Sequence, residues 1–210
     1  LTMSRLLLIV SFTLCLLTGA ASAQDTTATD QLLARLAQIS AMQGAFQQRQ
    51  FDGDGEILIE SSGHFKLLRP FYFSWEISSP DRQLIVANAE YLWHYDIDLQ
   101  TATRRPVVGS IEASPLQILG GDESVLREQY AVTKEDDNTS TLTPLAEAKG
   151  FRQLTVSVDA AVMQRMDIVD RLGQRVVVDF DQVDTSSPLS SSDFEFTPPP
   201  GDVDLFYYDE

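Results

Sequence analysis

The side chains of this chain that could do chemistry lie in two short segments. In residues 65–75 (FKLLRPFYFSW), Arg69 precedes a proline among five aromatic residues, although aromatic residues make up 9% of the chain. A guanidinium has five donors in a rigid fork, and it needs partners when it is buried. Arg69 could therefore hydrogen-bond main-chain carbonyls of a covering segment, for which residues 114–121 are the obvious candidate. The alternative is a surface arginine at the end of a strand.

The second segment is the strand pattern around His94. Here His94, Asp96 and Asp98 alternate with apolar residues, so that they share one strand face and could hold a metal for hydrolysis. The alternative, which we favour, is the solvated face of a strand in a very acidic chain. His64, the other histidine, is also predicted to point away from the apolar side. The hydrolase, nucleotide-binding and metalloprotease motifs are absent, so we predict no catalytic residue, no metal and no cofactor.

The elements that position these side chains are mostly strands. One long helix is predicted from Leu32, Leu33, Leu36 and Ile39, which recur at helical spacing. From residue 43 onward the pattern has period two, with turn residues at hairpin spacing. Strands are predicted at 129–134, 140–143, 151–158, 162–169, 174–181 and 193–196, and the clearest of all is at 91–99.

Strand parity predicts an aromatic wall. Phe65, Leu67 and Arg69 share one face of a strand. Phe71, Phe73 and Trp75 share a face of the next strand. In the strand at 91–99, Tyr91, Trp93, Tyr95, Ile97 and Leu99 face one way. The aromatic residues assigned to the wall are Phe46, Phe65, Phe71, Phe73, Trp75, Trp93 and Tyr95.

Two short helices are predicted in the middle of the chain. Residues 114–121 combine an N-cap serine, a proline at the first helical position and two terminal glycines. Leu116 and Leu119 are the apolar residues of this short helix that we assign to the predicted binding site. Asp122 could begin a second short helix that ends at Arg127.

The predicted fold is mainly β with α (α+β). About ten or eleven strands joined by short turns indicate one antiparallel sheet, and so few helices cannot cover its apolar face. Either the sheet curls onto itself and the aromatic wall is ordinary core, or part of that face lines a cavity. A curved sheet with helices lidding an apolar cavity is an architecture that binds ligands.

The N-terminus and the charge indicate where the protein works. Residues 1–23 have a short basic start, an apolar run and an Ala-Ser-Ala end, which predicts a secretory signal peptide cleaved after Ala23. Cys15, the only cysteine, lies within it, and residues 24–210 are predicted to form one domain. The net charge of −16 disfavours nucleic acid and anionic membranes as partners. It indicates either solubility or attraction of a basic partner.

The chain resembles the periplasmic outer-membrane lipoprotein carrier family, LolA. The resemblance rests on an R-P-x-x-F-x-W segment (Arg69 to Trp75) followed by a W-x-Y strand (Trp93 to Tyr95). The other matching segments are residues 41–48, 60–65, 80–81, 114–116 and 194–199. The strand at 91 is preceded by Ala89 where the family usually has a glycine, and the strong acidity and the aromatic residues 206–208 also depart from the family.

The resemblance implies an incomplete antiparallel barrel of about eleven strands, with one long and one or two short helices as a lid over a hydrophobic cavity. It implies that Arg69 hydrogen-bonds the lid, that Phe73 takes part in accepting cargo, and that Trp75 belongs to the same wall. The implied partners are acylated lipoproteins, an inner-membrane ABC exporter (LolCDE-like) and an outer-membrane acceptor lipoprotein (LolB-like). The protein would be a periplasmic monomer without stable membrane insertion, and no enzyme.

Three alternatives remain open at this point. A carrier of other lipids or glycolipids would have the same greasy wall, because apolar walls discriminate poorly between chains. A lipid-sensing periplasmic regulator would have a similar half-barrel but usually a second domain. A hydrolase would use the face formed by His94, Asp96 and Asp98.

Overall fold

A computed structural model of the chain describes residues 26–107, 123–146, 151–201 and 203–208, apart from the side chains of residues 26, 27 and 125. The predicted signal peptide and the predicted short helix at 114–121 lie outside these ranges. The elements are helices α1 (Thr26–Leu36) and α2 (Glu123–Gln129), a 3-10 helix (Ser191–Phe194), and strands β1 (Ala41–Phe51), β2 (Ile57–Leu68), β3 (Tyr72–Ser79), β4 (Gln83–Ala87), β5 (Tyr91–Asp96), β6 (Thr101–Pro106), β7 (Tyr130–Lys134), β8 (Thr139–Pro144), β9 (Phe151–Asp159), β10 (Val162–Asp170), β11 (Arg175–Asp184) and β12 (Asp204–Tyr207).

All twelve strands belong to one sheet, in the order β12-β6-β5-β4-β3-β2-β1-β11-β10-β9-β8-β7. Neighbouring strands are antiparallel, except that β12 runs parallel to β6. Within the described ranges the two outermost strands, β7 and β12, do not pair with each other, so the sheet is open. The mainly β fold with few helices is confirmed.

The sheet is strongly curved around α1. This helix contacts β7, an outermost strand, and its last residue, Leu36, also accepts a hydrogen bond from Arg69 at the end of β2. In a flat sheet β2 and β7 would lie about 29 Å apart, six strand spacings. A helix of eleven residues is only about 16 Å long. The helix reaches both places because the sheet curls around it.

The inner face of the curved sheet forms a single apolar cluster with the two helices. One side of α1 is buried against it through Ala28, Leu32, Leu33 and Leu36, as the period of the sequence predicted, and α2 adds Leu126. The sheet contributes residues that alternate along each strand. Its buried members are Met42, Phe46, Phe65, Leu67, Phe73, Trp75, Ala87, Leu92, Tyr130, Val132, Leu142, Phe151, Leu154, Val156, Val158, Met163, Met166, Val178 and Phe180.

The C-terminal segment differs from the prediction. Residues 193–196 were expected to form a strand, and that expectation is wrong, because Ser191–Phe194 is a 3-10 helix. The carboxylate of Asp193 accepts hydrogen bonds from the main-chain N–H (2.8 Å) and the hydroxyl (2.9 Å) of Ser190. Such local bonds compete with a strand ladder and favour a turn. The short strand β12, paired in parallel with β6, was not predicted.

Candidate functional site

Four aromatic rings form the centre of the inner face. Phe46 of β1 and Trp75 of β3 are stacked, with ring centroids 3.7 Å apart and an interplanar angle of 21°. Phe65 of β2 lies 6.2 Å from Trp75. Phe180 of β11 meets Phe65 edge-on at 4.9 Å and Trp75 at 6.2 Å. Aromatic pairs at such distances stabilise a protein beyond the contribution of apolar burial. One aromatic group therefore stabilises the packing of these four strands.

Three of these four rings are among the residues predicted for the aromatic wall, and the fourth, Phe180, is not. Phe46, Phe65 and Trp75 come together as expected, and Phe73, 4% exposed, extends the same face opposite Leu67 and Ala87. Phe180 was not named, although its strand was predicted. The available signal was the position of Phe180 between Asp179 and Asp181, in step with Val176 and Val178. Met42, Met163 and Met166, also on this face, were not named either.

The inner face becomes more exposed towards one end of the sheet. In the pair of strands β10 and β11, Met166 and Val178 are 2% and 4% exposed, whereas the next inner pair, Ile168 and Val176, is only partly buried. The same change occurs on β3 and β4, where Ile77 and Ile85 are partly buried, and this end carries the hairpins β1–β2, β3–β4, β5–β6 and β10–β11. Among the described residues, the inner face is therefore more accessible at this hairpin end than at the opposite end, where Met42 and Leu67 are buried.

Arg69 lies at the opposite end of β2, next to α1. Its main-chain N–H donates to the carbonyl of Ser40 (3.0 Å), which holds the end of β2 beside the start of β1. Its Nη1 donates to the main-chain carbonyl of Leu36, the last residue of α1. That carbonyl belongs to a helix C-terminus, where partial negative charge favours a cation.

Arg69 also lies within the electrostatic reach of α2. Partial burial of the guanidinium lowers the pKa of Arg69, while the negative charge of Glu123, the first residue of α2, raises it. An arginine nevertheless stays protonated at any physiological pH. The guanidinium is thus a permanent positive charge at the end of β2 that is hydrogen-bonded to α1 and attracted by the first residue of α2. The expected partner segment, residues 114–121, lies outside the described residues, and the described partner is α1.

The structure corrects the position of Trp93 and Tyr95. Both point to the outer face of β5, whereas Leu92 and His94 point to the inner face beside Ala87 and Ile85. The alternation of side chains along this strand was predicted correctly. The prediction that Trp93 and Tyr95 face the interior is wrong.

The reason for this error is a second apolar layer on the outer face. Phe196 from the C-terminal segment lies 5.2 Å from Trp93 and 5.6 Å from Tyr95. Tyr207 of β12 lies 6.0 Å from Trp93. The guanidinium of Arg104 is 4.2 Å above the ring of Tyr91 and 4.6 Å from that of Tyr207. Aromatic residues on β5 therefore anchor the C-terminus, and they do not belong to the inner wall.

Phe71 does not share the inner face with Trp75 either. It lies in the turn between β2 and β3 and is 44% exposed. The strand β3 begins only at Tyr72, so the alternation that relates Phe73 to Trp75 does not extend back to Phe71. The two remaining predicted site residues, Leu116 and Leu119, lie outside the described residues.

The residues of the hydrolase hypothesis have other partners. Nε2 of His94 lies 3.1 Å from Oε1 of Gln83, and Asp98 accepts hydrogen bonds from the main chain (2.7 Å) and side chain (2.9 and 2.7 Å) of Arg82. Burial lowers the pKa of His94. The negative charge of Asp96 raises this pKa, and the positive charge of Arg105 lowers it further. In the part of the chain that the structure describes, no three histidine, cysteine, aspartate or glutamate residues meet as metal ligands.

Comparisons with known proteins agree with this architecture. The family profile described as "Outer membrane lipoprotein carrier protein LolA" matches residues 37–197. An outer-membrane lipoprotein carrier protein of Coxiella burnetii is 33% identical over 189 residues, which cover 88% of this chain and 89% of the relative. Another of the same name from Chromohalobacter salexigens is 31% identical over 180 residues, covering 84% and 86%.

A solved structure shows the same fold. The crystal structure of an uncharacterized conserved protein from Thermus thermophilus aligns with a TM-score of 0.55 at 13% identity, covering 86% of this chain and 99% of that one. No helix among the described residues is long and apolar enough to cross a membrane. Taken together, the match over most of the chain and the curved sheet with its aromatic inner face show that the chain belongs to the outer-membrane lipoprotein carrier (LolA) family.

Proposed function

We propose that the protein is a periplasmic chaperone that holds the acyl chains of lipoproteins against the inner face of its sheet. The observation that carries this proposal is the aromatic group of Phe46, Phe65, Trp75 and Phe180 on the inner face of an open, curved sheet. Family membership supports the same function, since the relatives carry that name. The protein binds and releases its cargo without chemical conversion.

The physical need for such a carrier follows from the cost of exposing lipid. Each methylene group moved from an apolar environment into water costs about 0.8 kcal/mol, so several long acyl chains cost tens of kcal/mol. A lipoprotein would therefore not cross an aqueous compartment unaided. A carrier must offer an apolar surface for these chains and still hold them loosely enough to release them.

The hydrogen bond from Arg69 to Leu36 is proposed to make that release favourable. In the empty protein it fastens α1 over the apolar face. Acyl chains that enter between α1 and the sheet displace the helix and break the bond. A hydrogen bond to a charged group contributes about 1.5–3 kcal/mol, so its loss makes the loaded state less favourable by a similar amount. The empty protein regains the bond when cargo leaves.

The partners follow from this role. Residues 1–23 would export the chain, and residues 24–210 would work as one carrier domain. The carrier would receive lipoproteins from an inner-membrane ABC exporter and deliver them to an outer-membrane acceptor lipoprotein. The net charge of −16 supports a carrier that stays off anionic membranes, because like charges repel.

Mass spectrometry of the material that co-purifies with the protein tests this proposal. The protein is expressed with its own N-terminus, purified from the periplasm without detergent, and analysed intact and after extraction. We expect acylated polypeptides to be bound. Ile85→Asp, which places a charge on the inner face, should abolish the bound material, whereas Leu84→Asp, the same change on the outer face, should retain it. Free phospholipid alone, or no bound material in the wild type, would contradict the proposal.

A further inference from the structure

Two neighbouring hairpin tips expose large aliphatic side chains. Leu172, in the turn between β10 and β11, is 83% exposed, and Ile57 and Leu58, where β2 begins, are 53% and 58% exposed. We call these three residues the tip patch. A Cβ placed on Gly53, in the β1–β2 turn, would be 3.8 Å from the carbonyl oxygen of Leu172, so the two tips lie side by side. Apolar residues scattered singly over a surface are ordinary, whereas exposed apolar residues on two adjoining tips are typical of an interaction site.

The β1–β2 and β10–β11 loops, which carry or adjoin the tip patch, have the same hydrogen-bonded conformation. Oδ1 of Asp52 accepts hydrogen bonds from the N–H groups of Asp54 and Glu56, both at 2.9 Å. In the second tip, Oδ1 of Asp170 accepts from the N–H groups of residues 172 and 174, both at 2.8 Å. Each loop also places a glycine at positive φ, Gly55 at 89° and Gly173 at 86°, a conformation that glycine adopts without steric cost. An ordered loop presents a leucine at a lower entropic cost of binding than a flexible one.

The tip patch adjoins the accessible end of the apolar interior. Ile168 and Val176, the partly buried inner-face pair of β10 and β11, lie a few residues from Leu172 along the same hairpin. Ile59, which is also partly buried, follows Leu58 and pairs with Gln50. A partner bound at the tip patch would therefore stand next to the place where acyl chains can enter.

The charge around the tip patch is mainly negative. Residues 52–56 and 170–174 contain four acidic residues and one basic residue, Arg171. The neighbouring Arg175 is paired with Asp167, which accepts its Nε–H at 2.8 Å. Such a surface repels anionic lipid headgroups and attracts basic side chains.

From these observations we infer that the tip patch is the docking site for a cargo-exchanging protein that presents lysine or arginine side chains beside apolar ones. The inference rests on the proposed carrier function and identifies the surface through which cargo is exchanged. Leu172, Ile57 and Leu58 supply the apolar contact, and Asp52, Asp54, Glu56 and Asp170 supply the charge complementarity. The partner's own acyl-bearing site is thereby aligned with the hairpin end of the sheet.

The test measures the rate of cargo exchange in both directions. Spheroplasts of the source bacterium that carry an epitope-tagged lipoprotein are mixed with purified protein, and the release of tagged lipoprotein is followed. Loaded protein is then mixed with outer-membrane vesicles, and delivery is followed. The variants are Leu172→Ser and Asp54→Lys. Their matched controls are Leu99→Ser, a leucine 74% exposed at the tip of the β5–β6 hairpin, and Glu135→Lys, in the β7–β8 turn at the opposite end of the sheet.

We expect Leu172→Ser to slow release, delivery or both about tenfold, which corresponds to a loss of about 1.4 kcal/mol of docking free energy. Asp54→Lys should act in the same direction, the two controls should behave as wild type, and the amount of cargo bound at saturation should not change. Exchange at the wild-type rate in both assays, or equal slowing by the matched controls, would overturn the inference.

Binding to lipid vesicles distinguishes a membrane from a protein as the partner of the tip patch. If wild-type protein binds vesicles of phosphatidylethanolamine and phosphatidylglycerol and Leu172→Ser abolishes that binding, the patch contacts lipid and the inference is wrong. A wild-type protein that releases no lipoprotein from spheroplasts would instead refute the proposed carrier function and the inference with it. If the variants alone are slow, the carrier function and its docking site are both supported.

Discussion

The guanidinium of Arg69 donates a hydrogen bond to the main-chain carbonyl of Leu36, which joins the end of β2 to the end of α1. The two residues belong to different layers, the sheet and the helix that covers it. Leu36 is 1% exposed and belongs to the apolar cluster, so this polar contact closes the edge of an otherwise apolar interface. A charged donor at this place gives the helix a defined position on the sheet that apolar packing alone, which is not directional, would not specify.

The stacked pair of Phe46 and Trp75 should dominate the stability of the inner face. Phe46 is 1% exposed, and Phe46→Ala should lower the free energy of unfolding by about 3–5 kcal/mol through lost burial and the cavity left behind. Urea denaturation monitored by circular dichroism measures this change. Phe71→Ala, the same substitution at a residue 44% exposed in the β2–β3 turn, is the control and should cost far less. Equal losses would mean that the aromatic stack is not part of the core.

The two tryptophans should report different faces of the sheet. The chain has two, Trp75 on the inner face and Trp93 on the outer face. Trp93→Phe leaves the inner tryptophan, and Trp75→Phe leaves the outer one. When cargo with brominated acyl chains is loaded, fluorescence should be quenched in the first variant and not in the second. Quenching of Trp93 instead would mean that Trp93 faces the interior, as we expected from the sequence.

Gly63 occupies a position that admits no side chain. A Cβ at this residue would lie 1.7 Å from the carbonyl oxygen of Glu76 on β3. Gly63→Ala should therefore force β2 and β3 apart, with a loss of stability above the usual range of about 0.5–3 kcal/mol for single substitutions. Gly53→Ala is the control, because a Cβ there meets nothing nearer than 3.8 Å. Thermal unfolding of the two variants measures the difference, and a folded Gly63→Ala protein of wild-type stability would contradict the register of β2 and β3.

The period-two pattern predicted most of the strands and the inner position of Phe46, Phe65, Phe73 and Trp75, because alternation depends only on neighbouring residues. The orientation of β5 could not be predicted in the same way. Both of its faces are apolar, since Leu92 packs inside while Trp93 packs against Phe196, about a hundred residues further along the chain. A long-range contact of this kind leaves no local signal.

Arg69 illustrates a similar limit. The aromatic residues around Arg69 in the sequence indicated a buried guanidinium that donates to main-chain carbonyls. Such an acceptor is present in the structure, the carbonyl of Leu36. The described acceptor, Leu36, belongs to α1, whereas residues 114–121 were named as the candidate. Helix α1 reaches Arg69 because the sheet curls around it, and the degree of curvature follows from the packing of the whole apolar cluster. No segment of the sequence encodes that curvature by itself.

His94 should make stability depend on pH in the mildly acidic range. Burial lowers its pKa in the folded protein, so the unfolded chain, with an ordinary value of about 6.5, takes up a proton first as the pH falls. The free energy of unfolding should therefore decrease between about pH 7.5 and about pH 5.5, and His94→Gln should reduce this decrease. Urea titrations at the two pH values measure it. If His94→Gln loses as much free energy of unfolding over this pH range as the wild type, His94 is not the cause.

The most direct test of the account is the delivery of cargo by an Arg69→Leu protein. Loaded wild-type, Arg69→Leu and Arg49→Leu proteins are mixed with outer-membrane vesicles that contain the acceptor, and the fraction of lipoprotein delivered is followed over time. Arg49, which pairs with Asp179 at 2.8 Å outside the apolar cluster, is the matched control. Without the hydrogen bond to Leu36 the empty state loses about 1.5–3 kcal/mol, so Arg69→Leu should bind cargo and retain it, while the other two proteins deliver it. Delivery by Arg69→Leu as fast and as complete as by the wild type would contradict the account.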